Sequence, residues 1–215
     1  MVIHKGYDRR AERKAMRARR QSTEIRREQL VQAALEVVGQ RGVRRMSVAA
    51  VARRVGLVPS ALYRHFGSKD ELLDAIPELV RSKLLANVEA VRGETEDAVE
   101  RLQRLLMRHA KMIGANLGIP RMVFSEEFFA QRSGRKAKMY ATLKAYLDEV
   151  ARMVREGQKK GTIDRELDAN AAAVMFLGMV QSAGIVWHVS DGEFDIKRHV
   201  EKAWQGYKRM LEKRV

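Results

Sequence analysis

Read at about 100° per residue, Ser60, Ala61 and Arg64 fall on one side of a short helical segment, with Leu62 and Phe66 opposite and Tyr63 and His65 flanking. The chemistry of such a set is hydrogen bonding, not bond breaking. Small residues let a helix backbone approach base edges in a major groove, an Arg reaches guanine O6 and N7 with two bonds, and Tyr63, His65 and Lys69 can donate to phosphates. The competing reading is the solvated face of an ordinary helical bundle, and charge alone favours it. The spacing of Gly56, Tyr63, Phe66 and Lys69, behind a capped helix, favours nucleic acid.

The elements that must position this set are legible from periodicity. Ser47 is a good N-cap, Val48, Val51, Ala52 and Val55 follow at i, i+3, i+4 and i+7, and Gly56 ends the helix. Pro59 suits the first turn of the next helix, which runs to Phe66 before Gly67. Helix, Gly-bearing turn and helix make a helix-turn-helix. In front lies a helix from Thr23, with Leu30, Ala34 and Val37 on one apolar face and Gly42 as its stop. Behind, Ser68 and Glu71 form a capping box opening a fourth helix, with an inward stripe from Leu72 to Leu84. Pro77 predicts a bend there between Leu73 and Pro77. Further helices are predicted at 95–115, 120–131, 133–160, 168–189 and 194–212, and no strand.

Charge follows the same division. Residues 1–69 hold 17 of the 42 Lys and Arg but 5 of the 27 Asp and Glu, and so +12 of the net +15. A basic block beside a nearly balanced remainder reads as a surface for a polyanion. Residues 9–21 have Met16 as their only sizeable apolar side chain, so packing cannot hold them. They are an arm, helical or disordered, whose Arg13, Lys14, Arg17, Arg19 and Arg20 can meet phosphates; a solvated tail is the alternative.

The segment SVAAVARRVGLVPSALYRHFGSKDELLDAI, within 24–84, resembles the DNA-binding domain of the TetR/AcrR family of transcriptional regulators. The resemblance implies a homodimeric, usually repressing regulator whose C-terminal domain binds a small molecule and thereby releases double-stranded DNA. Since a single helix-turn-helix reads few base pairs and a two-fold pair doubles the contact, the operator is expected to be palindromic. Position by position, it puts Ser47 and Val48 where the family touches phosphate and sometimes base. Pro59, Ser60, Ala61 and Arg64 fall at its base-facing positions, and Tyr63, His65 and Lys69 at its backbone-contacting ones. The arm before Thr23 is longer and more basic than the family minimum, and Pro77 falls inside the linking helix.

The remainder matches that family in length and helical character. Eight of the 11 Met lie from Met107 onward. Leu84, Met112, Phe124, Phe128, Met139, Tyr140, Met175, Met179 and Trp187 are the candidates for an adaptable apolar effector pocket, each serving core packing equally well. Residues 171–190 contain no Asp, Glu, Lys or Arg and are long enough to cross a bilayer. A helix apolar all round is equally suited to burial in protein. Gly178 and Ser182 permit close helix approach, and Ile196, Val200, Ala203 and Tyr207 form a stripe on the last helix. A four-helix dimer interface accounts for both better than a membrane does; intrachain packing is the alternative.

Catalysis finds no support. The five His show no metal-ligand spacing, no Gly-rich phosphate loop follows a strand, and Glu126 and Glu127, being adjacent, diverge on a helix. No catalytic residue, metal or cofactor is expected. Cysteine is absent, and the start MVIHKGYDRR has no apolar run behind it, as suits a cytoplasmic protein. The expected fold is all-α: a basic arm (1–22), a three-helix helix-turn-helix DNA-binding domain (23–67), and a helical-bundle domain for ligand binding and dimerisation (68–215). Two further classes remain, a sequence-independent architectural DNA binder and a membrane-anchored helical protein.

Overall fold

The computed structural model describes the backbone of residues 9–116, 118–130 and 133–212, and side chains within those ranges from Thr23 onward, Ser133 excepted. Among the described residues there are eleven helices and no strand. They are α1 (Arg9–Arg45), α2 (Val48–Arg54), α3 (Pro59–Tyr63), α4 (Lys69–Asp74), α5 (Ile76–Glu94), α6 (Ala98–Ala115), α7 (Gly118–Val123), α8 (Glu126–Ala130), α9 (Ser133–Lys160), α10 (Ala169–Val189) and α11 (Ile196–Leu211).

The expected periodicities translate into burial. Leu30, Ala34, Leu35 and Val38 of α1 are fully buried, and Gly42, at φ 77°, breaks the helical path before its last residues. The arm is a continuation of α1 back to Arg9, so the first helix begins fourteen residues before the expected start at Thr23. The expected bend at Pro77 is a full interruption: α4 ends at Asp74, Ala75 links the two helices, and Pro77 sits in the first turn of α5, where its missing N–H costs nothing. The single helix expected at 120–131 is two, because Ser125 caps a new start, its hydroxyl accepting from the Phe128 N–H at 3.2 Å.

α1 to α3 form a small head docked on the larger bundle of α5 to α11. The docking is close. Gly118 of α7 lies against α1 so tightly that a Cβ there would stand 2.9 Å from Leu35 Cδ1 and nearer still to the Leu35 carbonyl. Beside it Gln32 Nε2 donates to Asn116 Oδ1 at 2.7 Å, and Asn116 Nδ2 to the Met112 carbonyl at 2.7 Å, linking α1 to the end of α6. Within the bundle α9 packs on α5, α6 and α10, and α11 on α6 and α10.

Candidate nucleic-acid interface and effector cavity

The helix-turn-helix is set by local chemistry. Ser47 Oγ accepts from the Ala50 N–H at 3.1 Å and caps α2. Gly56, at φ 70°, turns the chain so that the Leu57 N–H bonds the Ala52 carbonyl at 2.8 Å, a left-handed conformation that glycine adopts without steric cost. Leu62 and Phe66 are fully buried. Arg27 of α1 lies over the Phe66 ring, 4.1 Å from its centroid, donates to the His65 carbonyl, and approaches Glu71 Oε1 at 3.5 Å. Glu71 completes the junction by accepting from the Gly67 N–H at 2.7 Å while its own N–H donates to Ser68 Oγ at 3.1 Å. The end of α3 is thereby tied to both α1 and α4.

This leaves Pro59, Ser60, Tyr63 and Arg64 exposed and His65 half-buried. Two expected contacts are corrected. Ala61 is only 8% exposed, because α3 is little more than one turn packed on α2 and has fewer outward positions than an isolated wheel suggests. Val48, 7% exposed, is the first member of the inward stripe it forms with Val51 and Ala52. Lys69 is turned inward, its Nζ donating to the Val43 carbonyl at 3.3 Å, so a phosphate contact requires it to leave that carbonyl. Exposed Arg44, Arg45 and Arg53 add positive charge on the same head. The arm residues Arg13, Lys14, Arg17, Arg19 and Arg20 lie on the backbone of α1, and their side chains are outside the described residues.

Sequence reasoning passed over Arg27 and, more consequentially, Arg135. From the first turns of α9, Arg135 is 3% exposed and reaches α4: Nε to Asp74 Oδ1 at 2.6 Å, and Nη2 to Asp70 Oδ1 at 2.7 Å and to the Asp70 carbonyl at 3.1 Å. Its Nη1 donates to the Phe128 carbonyl of α8 at 3.3 Å, over the Phe128 ring. A fork of fixed donors suits this many acceptors better than an ammonium would. No local pattern in the sequence marks Arg135, since Asp70 and Asp74, one helical turn apart on α4, are brought to it only by the fold.

Inside the bundle, α5, α6, α7, α9 and α10 surround a cavity of about 10 Å³. Leu84, Met112 and Met139 of the expected pocket set line it. The others are elsewhere. Phe124, Tyr140 and Met175 are exposed, Phe128 is buried beneath Arg135, and Met179 packs half-buried on the core. Trp187 lines a separate open cleft of about 730 Å³ with Met107, Phe194 and Ile196. Aromatic and Met content marks apolar demand, not the side of a helix that meets it. What sequence reasoning missed is polar: Gln181 and His109 line the cavity. His109 is 1% exposed, its Nδ1 lies 3.2 Å from the Tyr146 hydroxyl, and burial pushes its pKa down to about 4. Burial likewise raises the Tyr146 phenol.

On the outer side of α10 an apolar stripe stands in solvent: Val174, Met175, Gly178, Ser182, Ile185, Val186 and Val189, at helical spacing. Gly178 and Ser182 of the expected interface are on it. Ile196, Val200 and Tyr207 are not: they are buried against the chain's own bundle, Tyr207 donating to the Ala172 carbonyl at 2.9 Å, while Ala203 is half-buried. The amphipathic stripe of α11 is its core face, which sequence cannot tell from an intermolecular one.

Comparison with known proteins agrees with this architecture. Residues 30–76 match the profile described as bacterial regulatory proteins, tetR family, and residues 80–207 the YsiA-like protein, C-terminal region. A fatty acid metabolism regulator protein of Bacillus subtilis is 23% identical over 168 residues, 78% of this chain and 86% of the relative. The nucleoid occlusion factor SlmA of Shewanella pealeana is 26% identical over 193 residues, 86% of this chain and 94% of the relative. Among solved structures, the regulator FadR from Bacillus subtilis in complex with stearoyl-CoA superposes with a TM-score of 0.68 at 21% identity, covering 86% of this chain and 98% of that one. The TetR family regulator PfmR from Thermus thermophilus gives 0.69 at 25% identity, covering 86% and 99%. With a tetR-type helix-turn-helix on a YsiA-like helical domain, the chain belongs to the TetR family and is a transcriptional regulator of that family.

Proposed function

We propose that the protein is a repressor that binds a palindromic operator as a homodimer and is released by an apolar or amphipathic small molecule, with acyl-CoA thioesters as the first class to test. The observation that carries the DNA half is the outward face of α3, held against α1 and α4 by Arg27 and Glu71. Arg64 reads base edges, with Ser60 allowing close approach beside it, Ser47, Tyr63 and His65 fix the register on phosphates, and residues 23–67 act as the reading head. Residues 68–215 bind effector and partner, and the exposed stripe of α10 is the dimer contact: an uncharged face of this length costs solubility unless covered. The arm adds sequence-independent affinity, so deleting residues 1–21 flattens the salt dependence of binding by about 0.9 log unit per lost phosphate contact.

The effector half rests on the cavity between α5, α6, α7, α9 and α10, and on the stearoyl-CoA held by the similar FadR of Bacillus subtilis. A cavity of about 10 Å³ admits no acyl chain, so binding must part these helices. Because α9 grips α4 through Arg135, that movement reaches the reading head. Footprinting on promoter DNA, with solution mass and a titration of long-chain acyl-CoA, tests the proposal. Protection of a discrete inverted repeat by a dimer, lost as acyl-CoA is added, is the expected result. Uniform coating of DNA by the protein overturns it in favour of an architectural role, the reading to which the SlmA relatives lend weight.

A further inference from the structure

The polarity of the cavity limits what enters it. Among the described residues, all that line it are apolar except His109 and Gln181, and no Lys or Arg is among them. Gln181 Oε1 is buried without a hydrogen-bond partner, an arrangement proteins avoid unless another molecule supplies the donor. His109 is neutral at physiological pH, since burial holds its pKa near 4, so it offers no cation either. Arg135, one helical turn before Met139 on α9, is committed to Asp70 and Asp74. A carboxylate or phosphate placed here would be buried unpaired, which costs far more than a neutral group. The flexible Met112 and Met139 of the wall can retract to admit hydrocarbon.

We infer that the effector is hydroxylated: an uncharged apolar chain or ring bearing a hydroxyl enters this cavity and pairs with Gln181, while any anionic head stays outside. A hydroxyl donates and accepts, so it satisfies either end of the Gln181 amide. This deepens the effector reading proposed above and rests on it.

The test uses the purified full chain, hexadecanoyl-CoA, and hexadecanoyl-CoAs hydroxylated at carbon 3, 10 or 16, with affinities measured by calorimetry. At least one hydroxylated chain is expected to bind about 10- to 100-fold tighter than the parent, the range of one hydrogen bond to an otherwise orphaned buried acceptor. Gln181→Met, close in volume, is expected to erase that preference, so that the variant binds hydroxylated and parent chains alike, and its thermal midpoint should be at or above wild type. If all chains bind wild type within about twofold, or Gln181→Met still discriminates, the hydroxyl inference falls and the acyl effector reading stands. If none of the chains binds, both fall.

Discussion

Arg135 and Asp74, 61 residues apart in sequence, meet at 2.6 Å between Nε and Oδ1, and the guanidinium is almost wholly withdrawn from water. The pair fastens the start of α9 to the end of α4, where the reading head and the bundle share a boundary. Arg135→Met leaves Asp70 and Asp74 facing an apolar group. Removing one partner of a buried pair costs about 3 to 5 kcal/mol, and the partial exposure of both carboxylates brings the expectation to about 2 to 3 kcal/mol. Arg135→Lys keeps the charge but not the fork and should lose less. Denaturant unfolding of both variants checks the order, and a Lys variant as damaging as Met would show that charge is irrelevant here.

Gly118 supplies the second fastening. Any side chain at this position meets the Leu35 carbonyl of α1, a backbone group that cannot rotate away. Gly118→Ala is therefore expected to push α1 from α7 and cost at least about 1 to 3 kcal/mol, the range for overpacking a tight contact. Operator affinity should fall with it, since α1 also holds α3 through Arg27. Unchanged stability and affinity would mean the helices separate freely at this point.

Arg64, the C-cap of α3, is the long donor on its outward face, and its replacement by Ala should cost about 1 to 3 kcal/mol on operator and relax preference at one base position. Ser60 contributes little direct readout, so the remaining specificity comes from close contact and DNA shape. Binding to a library of single-base operator variants reads this out. An equal loss on operator and on random DNA would identify Arg64 as a phosphate contact.

Several boundaries that depend on neighbouring residues were readable in the chain itself, although the Ser125 cap and the full break before Pro77 were not. Ser47, Gly56, Pro59 and Ser68 act within four residues of themselves, and each marks its boundary where the structure has one. Ala61 and Val48 misled because a helical wheel shows which residues share a side, not how much of that side a neighbouring helix covers. The outward stripe of α10 was hidden by its own inward face, equally apolar in Ala172, Phe176 and Val180. Arg135 was beyond reach: its partners Asp70 and Asp74 come from another helix and only the fold brings them to it. The same applies to His109, Tyr146 and Gln181, three polar residues on three helices with no shared local pattern.

His109 gives the fold a pH dependence of defined sign. In the native protein its pKa is about 4, against 6.5 for the ordinary side chain, and desolvation by burial is the cause. Between those values the unfolded chain binds a proton at this position and the native one does not. Stability therefore rises with pH across that window and is level above it as far as this group is concerned. Each pH unit is worth about 1.4 kcal/mol, so the window accounts for about 3 kcal/mol. The groups around His109 leave this sign intact, since Tyr146 faces it as an uncharged phenol and the cavity wall carries no acid among the described residues. His109→Gln, which keeps a neutral polar group beside Tyr146, should remove most of the slope between pH 4 and 6.5 while changing stability little at pH 7.5. Urea unfolding of wild type and variant at half-unit intervals measures it, and parallel curves for the two proteins would place the proton uptake elsewhere.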